Sequence, residues 1–178
     1  LDAGTMTPAD VAFARQHLRF LSGLYGLLAP TDAVAPHRLE MGTKLATGRG
    51  ANLYAFWGDA IADAIAADVA LLPEPQRFVV NCASAEYWRA ASQRRLEDVH
   101  GVRVIACVFP GPAVHAKAAR GAMCRHVVTA RVVDPEGLKT FAGANGEWAF
   151  DRVEREKGPG GGERFVFARA ATRNLWLT

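Results

Sequence analysis

The sequence predicts a mixed α/β (α+β) fold in which a single domain over residues 1–178 has a mixed central sheet flanked by helices. Two short runs rich in β-branched residues, "RFVVNCAS" and "GVRVIACVF", are bounded by turn residues and are typical of buried strands. Near the end of the chain, "GEWAFD" and "ERFVFAR" flank the glycine-rich "REKGPGGG", which predicts two strands joined by a flexible hairpin loop. Helical periodicity between these runs predicts the flanking helices.

Three earlier segments carry helix signals. "TPADVAFARQHLRFL" predicts a helix with Thr7 as N-cap, Pro8 at its first position and an apolar stripe that continues to Leu21. "NLYAFWGDAIADAIAADVALL" predicts one helix capped by Asn52. "SAEYWRAASQRRLEDV" is predicted to be helical in its first half, with Ser84 as a candidate cap.

The composition is that of a soluble globular protein. Of the 178 residues, 50% are hydrophobic and 22% are charged, so a disordered chain is not expected. No apolar run approaches the about 20 residues that span a bilayer, and the start lacks a secretory signal pattern, so we predict a cytoplasmic protein without membrane association. Because the net charge is only +3, binding to nucleic acid would need a local basic patch.

The cysteines and histidines predict neither a disulfide framework nor a metal site. Cys82, Cys107 and Cys124 lie in apolar surroundings without paired spacing, so they are predicted to be core thiols. None of the five histidines has metal-ligand spacing with a nearby carboxylate. We therefore predict no cofactor and no metal, and the sequence does not define an oligomeric state.

The segment "AVHAKAARGAMCRHVVTARVV" predicts an amphipathic helix with a basic edge. Its apolar face holds Ala116, Ala119, Met123, Val127 and Ala130, and the neighbouring face holds Lys117, Arg120, Cys124 and Arg131. Lys117 and Arg120 are three residues apart, and Gly121 lets a ligand approach the backbone between them. This spacing suits an anion such as phosphate, and a solvated basic edge is the alternative.

Six segments occur in the order and approximate spacing of the bacterial YaaA family of peroxide-stress proteins. They are "FARQHLRFLSGLYGLLAP", "RLEMGTKL", "NLYAFWGDAI", "NCASAEY", "AKAARGAMCR" and "LKTFAGANGEWAFD". The chain resembles this family from about Met6 to Arg169. The resemblance implies a cytoplasmic protein that helps bacteria to survive hydrogen peroxide, is associated with limiting free intracellular iron, and binds double-stranded DNA.

The resemblance also implies a mixed α/β fold with a basic cleft and a helix-hairpin-helix-like element. Family members carry an N-terminal region with a motif like S-P-A-K-T, and a charged hairpin ahead of the "AKAARG" helix. Neither is present in this sequence. We therefore expect that segments of the working protein are omitted from it, since a missing opening strand would leave a sheet edge unpaired.

The stretch "HLRFLSGLYGLLAP" has two glycines, Gly23 and Gly26, inside an apolar run. In a helix-hairpin-helix module, a glycine turn between two helices points backbone N–H groups at a DNA phosphate. Alternatively, Gly23 ends the first helix and Gly26 makes room for packing. The predicted phosphate-binding residues are Arg19, Ser22, Gly23, Leu24, Tyr25, Gly26, Arg38, Lys117, Arg120, Gly121 and Arg125.

A second candidate site follows the first predicted strand. Asn81, Ser84, Glu86 and Tyr87 place hydrogen-bonding groups where a strand ends and a helix starts, a position at which α/β sheets collect ligands. Ser84 is a nucleophile only with a base beside it, and a helix cap explains it more simply. Glu86 is either a general base or the partner of Arg120. We assign no catalytic residue.

Two functions remain open from the sequence. The first is a DNA-binding stress protein that uses the glycine turn and the Lys117/Arg120 helix. The second is an enzyme acting on a nucleotide or another phosphorylated compound, which requires a closed pocket where Asn81, Glu86 and Lys117 converge.

Overall fold

The computed structural model describes residues 1–155 and 162–170. Its helices are α1 (Pro8–His17), α2 (Leu53–Trp57), α3 (Ala60–Ala70), α4 (Ala85–Trp88), α5 (Gln93–Asp98) and α6 (Ala113–Thr129). Its strands are β1 (Phe20–Ser22), β2 (Gly26–Leu28), β3 (Phe78–Asn81), β4 (Arg103–Val108), β5 (Trp148–Arg155) and β6 (Glu163–Arg169). Residues 156–161, which hold most of the predicted hairpin loop, lie outside the described residues.

The central sheet has four strands in the order β3-β4-β6-β5. Strands β3, β4 and β6 are parallel, and β5 runs antiparallel to β6 with a bulge between Phe150 and Arg152. The sheet is therefore mixed, as predicted, and all four of its predicted strands are confirmed. Strand β3 forms one edge, and no other described strand pairs with its outer side.

Helix α1 begins where the sequence predicts but ends earlier. Thr7 and Asp10 form a capping box, with Pro8 in the first turn. The helix ends at His17, and the chain then becomes extended and forms the two-stranded hairpin β1-β2. The prediction that the helical stripe continues to Leu21 is wrong, because Leu21 packs from a strand against the core formed by α3 and α5.

The second predicted helix is divided in two. Asn52 caps α2 as predicted, since its Oδ1 accepts a hydrogen bond from the N–H of Ala55 at 2.9 Å. Gly58 then adopts a φ of 50°, in a region that L side chains avoid, and the chain restarts as α3. This break allows α3 to pack on α5 with Ile61, Ile65 and Val69 buried.

The hydrophobic core has two parts. The first lies around α3 and α5 and includes Ile61, Leu96 and Val104, and the second lies under α6 and includes Met123 and Phe165. Each fully buried side chain of this size contributes about 1.5–3 kcal/mol to folding. Helix α6 buries Ala116, Ala119 and Met123, as the periodicity predicts. Val128 is fully buried where Val127 is predicted, and the helix ends at Thr129, so the predicted face does not extend to Ala130 and Arg131.

Candidate phosphate-binding surface and cavity

The basic edge of α6 presents two cations that are not neutralised within the described structure. Lys117 is exposed, and Arg120, one turn later, is half-buried. Neither side chain forms a hydrogen bond or ion pair with any described residue. Both lie in the first half of α6, which follows the carboxyl end of β4. This pair is available to an external anion.

The second half of the same edge is occupied by the chain itself. Arg125 donates from Nη1 to the carbonyl oxygens of Leu1 and Asp2 at 3.1 and 2.8 Å. A Cβ on Gly121 would lie 3.2 Å from the backbone nitrogen of Leu1. Arg125 and Gly121, which are both predicted phosphate contacts, therefore lie against the first two residues.

The turn between Gly23 and Gly26 joins two strands, and the predicted helix-hairpin-helix-like element at this place is wrong. Strands β1 and β2 pair antiparallel, with Ser22 opposite Gly26. Gly26 has a φ of +75°, and a Cβ there would lie 2.8 Å from the indole ring of Trp57. At Gly23 a Cβ would lie 2.5 Å from the carbonyl oxygen of Leu39. Both glycines are explained by backbone conformation and close packing.

The backbone donors of this turn are bonded internally. The hydroxyl of Ser22 accepts hydrogen bonds from the N–H groups of Leu24 and Tyr25 at 3.3 and 3.1 Å. The carbonyl oxygen of Gly23 accepts from Nε1 of Trp57 at 3.0 Å. These amides point at a side chain of their own hairpin, whereas a phosphate-binding turn would present them to a ligand.

The two remaining predicted cations differ in environment. Arg19 forms a 2.7 Å ion pair with Asp68 and also donates to the carbonyl oxygens of Arg15 and Leu18, so it fastens the end of α1 to α3. Arg38 is exposed in the loop after β2, without an ion pair to any described residue. Of the two, Arg38 is the one available to an anion.

A cavity of about 410 Å³ runs along the free edge of β3. Three of the four predicted polar residues, Asn81, Ser84 and Tyr87, line it, but most of its lining is apolar. The Oδ1 of Asn81 accepts from the N–H of Ala83 at 2.9 Å, which shapes the turn after β3. Ser84 occupies the N-cap position of α4 without a capping hydrogen bond from its side chain.

Glu86 points away from this cavity. Its Oε1 accepts a 2.7 Å hydrogen bond from the N–H of Gly42, and its carbonyl oxygen accepts from the hydroxyl of Tyr54. The prediction that it pairs with Arg120 is wrong, because the carboxylate instead holds the loop that contains Gly42. Neither Glu86 nor Lys117 lines the cavity, so the convergence with Asn81 that a small-substrate site requires is not found.

The three cysteines form a cluster that the sequence interpretation missed. Cys82 follows β3, Cys107 lies in β4 and Cys124 lies in α6, and the thiol of Cys82 contacts the other two. The hydrogen bond to Cys107 and burial raise the pKa of Cys82, while the thiol of Cys124 and the charge of Arg120 act in the opposite direction. Contact with Cys82 and burial raise the pKa of Cys124.

A sequence signal for this cluster existed. The strands "VVNC" and "VIAC" place a cysteine at the same offset, and the parallel register pairs Val79 with Val104, which brings Cys82 beside Cys107. Within residues 1–155 and 162–170, no group of three or more His, Cys, Asp or Glu side chains is arranged to hold a metal ion.

These elements define a mixed α+β protein in which the first half of the α6 basic edge has no ion-pair partner among the described residues. Residues 1–153 match the model of the family described as peroxide stress protein YaaA. UPF0246 proteins of Burkholderia thailandensis, Burkholderia mallei and Burkholderia pseudomallei are each 41% identical to this chain over 179 residues. The chain therefore belongs to the YaaA peroxide stress protein family, as the motifs predicted.

The match covers 96% of this chain and 65% of each of these relatives, so the chain spans less than two thirds of their length. None of the helices in the described part of the chain is both long and apolar enough to cross a membrane.

Proposed function

We propose that this protein binds duplex DNA in the cytoplasm during the peroxide stress response, and that the first half of the α6 basic edge contacts the DNA phosphates. Membership of the peroxide stress family supports the setting. The observation that carries the proposal is that Lys117 and Arg120 lie on consecutive turns of one helix without any described acidic partner. Side chains three residues apart on a helix have Cβ atoms about 5–6 Å apart, so both can contact the same stretch of DNA phosphate backbone.

Most other arginines that the structure describes are already engaged. Their ion pairs are Arg19–Asp68, Arg94–Asp98, Arg95–Asp63, Arg103–Glu163, Arg125–Asp2, Arg131–Asp10, Arg152–Glu154, Arg155–Glu163 and Arg164–Glu154. Because the net charge of the chain is only +3, DNA affinity must come from cations that are free to release counterions. Lys117 and Arg120 meet that requirement.

The enzyme alternative is less well supported by the geometry. A site for a nucleotide needs charged groups around a closed pocket, but Lys117 and Glu86 are not among the residues that line the cavity beside β3. The cavity is mainly apolar, which does not suit a phosphate group.

The test is a salt titration of DNA binding. Wild-type protein and the Lys117→Ala/Arg120→Ala variant are titrated with several unrelated duplexes by fluorescence anisotropy. We expect the variant to bind all duplexes more weakly, and its slope of log K against log salt to be smaller by about 0.9 for each phosphate that it no longer binds. The Arg94→Ala/Arg152→Ala variant is the matched control, since it also removes two positive charges, both from arginines in ion pairs.

Equal slopes for the two double variants would contradict the proposal, because the effect would then follow net charge alone. A variant defect limited to one DNA sequence would also contradict it, since phosphate contacts carry no base information.

Limitation of free intracellular iron is the second part of the proposed function, and family resemblance is its support. We expect cells that lack the protein to accumulate more chelatable iron under peroxide than complemented cells, measured by electron paramagnetic resonance. Complementation with the Lys117→Ala/Arg120→Ala variant tests whether this role depends on the proposed DNA contacts. Unchanged iron in the deletion strain would overturn this part alone.

A further inference from the structure

Two of the three clustered thiols are positioned to react with a small oxidant. Cys107 is only 5% exposed and lies in the aromatic half of the core. Cys82 and Cys124 are each partly exposed and line the same cavity. Cys82 lies at the end of β3, and Cys124 lies opposite it in α6. The Cys82 and Cys124 side chains interact with each other. Nothing in the proposed DNA contacts uses these residues.

We propose that Cys82 and Cys124 form a dithiol that hydrogen peroxide oxidises to a disulfide, which links the end of β3 to α6. Peroxide is small enough to enter the cavity that both thiols line, and the chain belongs to a peroxide stress family. The bond closes a loop that contains α4, α5, β4 and most of α6. It would lie one helical turn from Arg120.

The reaction proceeds in two balanced steps. The Cys82 thiolate attacks one peroxide oxygen, the O–O bond breaks, and the departing hydroxide takes a proton to leave as water, which gives a sulfenic acid on Cys82. The Cys124 sulfur then attacks the Cys82 sulfur, and the S–O bond breaks as a second water leaves with the Cys124 proton. Two electrons pass from the thiols to the peroxide, and two waters form.

Cys82 is assigned the first step because the Arg120 guanidinium on α6 faces it and stabilises negative charge on its sulfur. The groups that face Cys82 are the Cys107 thiol from β4 and the Cys124 thiol and Arg120 guanidinium from α6, and the last two stabilise negative charge on it. Cys124 faces Cys82. Cys124, on α6, is the thiol that attacks the sulfenic acid. Cys107 does not take this role, because it lies in the central strand β4 and is fixed by packing in the core.

The pKa of Cys82 lies above its usual range, so only a small fraction is thiolate at neutral pH. We expect the oxidation rate to rise by about tenfold per pH unit below that pKa, because the thiolate is the reacting form. Arg120→Met should slow the reaction, since it removes a positive charge that stabilises the thiolate. Arg94→Met, which removes an exposed arginine paired with Asp98, is the matched control.

The test is peptide mapping after peroxide treatment. The reduced protein is incubated with hydrogen peroxide, remaining thiols are alkylated, and a non-reducing digest is analysed by mass spectrometry. We expect a peptide pair that joins Cys82 to Cys124, lighter than the two free peptides by two hydrogen atoms and separated by dithiothreitol. Cys82→Ser and Cys124→Ser should abolish it, and Cys107→Ala should keep it.

If Cys107→Ala does not fold, the peptide map of the wild type is sufficient. It identifies directly which of the three cysteines is alkylated and therefore which two are joined. Recovery of Cys107 as the alkylated thiol supports the proposal. A Cys82–Cys107 bond, disulfide-linked dimers, or three fully alkylated thiols would each overturn it. Oxidised protein should also have a higher thermal unfolding midpoint than reduced protein, reversed by dithiothreitol, since the bond restricts the unfolded chain.

Discussion

The glycine turn of the β1-β2 hairpin and the basic edge of α6 differ in what their polar groups contact. Both segments are predicted phosphate sites, and both combine glycine with polar or basic residues. In the turn, the N–H groups of Leu24 and Tyr25 donate to the hydroxyl of Ser22. On α6, Lys117 and Arg120 have no described partner. A ligand site is better identified by unsatisfied groups than by glycine content.

The difference is energetic. To bind a phosphate, the amides of the turn must first break their hydrogen bonds to the Ser22 hydroxyl. Each of these bonds contributes about 0.5–1.5 kcal/mol to the free energy of folding. Lys117 is exposed, so it exchanges only solvent and counterions for a phosphate. We therefore expect substitutions in the turn to change stability, and substitutions on the Lys117/Arg120 half of α6 to change DNA binding.

The largest effect on stability is expected from Gly23→Val. Its Cβ would lie 2.5 Å from the carbonyl oxygen of Leu39 and 3.2 Å from the backbone of Glu40, and backbone atoms cannot move away as a side-chain tip can. We expect a loss of about 2–3 kcal/mol in the free energy of unfolding, typical of overpacking, measured by urea denaturation.

Gly48→Val is the control for that change, because a Cβ at Gly48 meets nothing within 4 Å. For the folded fraction of Gly23→Val, the salt dependence of DNA binding should remain that of the wild type. A reduced slope in a fully folded variant would place a phosphate contact at the turn and break the comparison.

A smaller effect is expected from Ser22→Ala. This change removes the acceptor for the Leu24 and Tyr25 amides while leaving their backbone in place. We expect a loss of about 1–2 kcal/mol in the free energy of unfolding, since a largely buried site loses its hydrogen bonds. DNA affinity should not change. A gain in affinity would show that the freed amides bind phosphate, and it would mean that the turn competes with α6.

The parts of the fold that the sequence predicted are those with local causes. Strands β3 and β4 follow from β-branched runs between turn residues, and the start of α1 follows from Thr7 and Pro8. The hairpin β1-β2 was missed because its leucines suit a helix or a strand equally. Its conformation depends on distant packing, such as the hydrogen bond from Trp57 to Gly23, 34 residues away.

The candidate site also has features with local causes and features that depend on distant contacts. The orientation of Lys117 and Arg120 follows from helical periodicity, which is a local property. The partners of Arg125 and Glu86 do not, because Arg125 contacts the chain start and Glu86 contacts Gly42. Such contacts depend on tertiary folding. The sequence therefore does not show whether the charge of a residue is neutralised by a partner elsewhere in the chain.

The smallest effect is expected from Asp10→Asn, which tests the ion pair that joins α1 to the chain after α6. The Asp10 carboxylate in α1 accepts from the backbone N–H and hydroxyl of Thr7, at 2.9 and 2.8 Å, and pairs with Arg131 beyond α6 at 2.8 Å. The Thr7 hydrogen bonds, helped by Arg131, lower the pKa of Asp10 from 3.8 to about 2. The folded protein therefore favours the ionised carboxylate more than the unfolded chain does. Its stabilisation is fully present above pH 3.8 and is lost as the pH falls towards about 2.

The thermal unfolding midpoint of Asp10→Asn should accordingly be slightly below that of the wild type at pH 7, and the two should converge near pH 2. A double-mutant cycle with Arg131→Met separates the ion pair from the Thr7 cap, because only the ion pair is removed by both single changes. DNA affinity of Asp10→Asn should match the wild type, since neither Asp10 nor Arg131 lies on the Lys117/Arg120 half of α6. A midpoint difference that persists unchanged to pH 2 would show that the asparagine acts through packing. A loss of DNA affinity would show that DNA binding by Lys117 and Arg120 depends on the ion pair between Asp10 and Arg131.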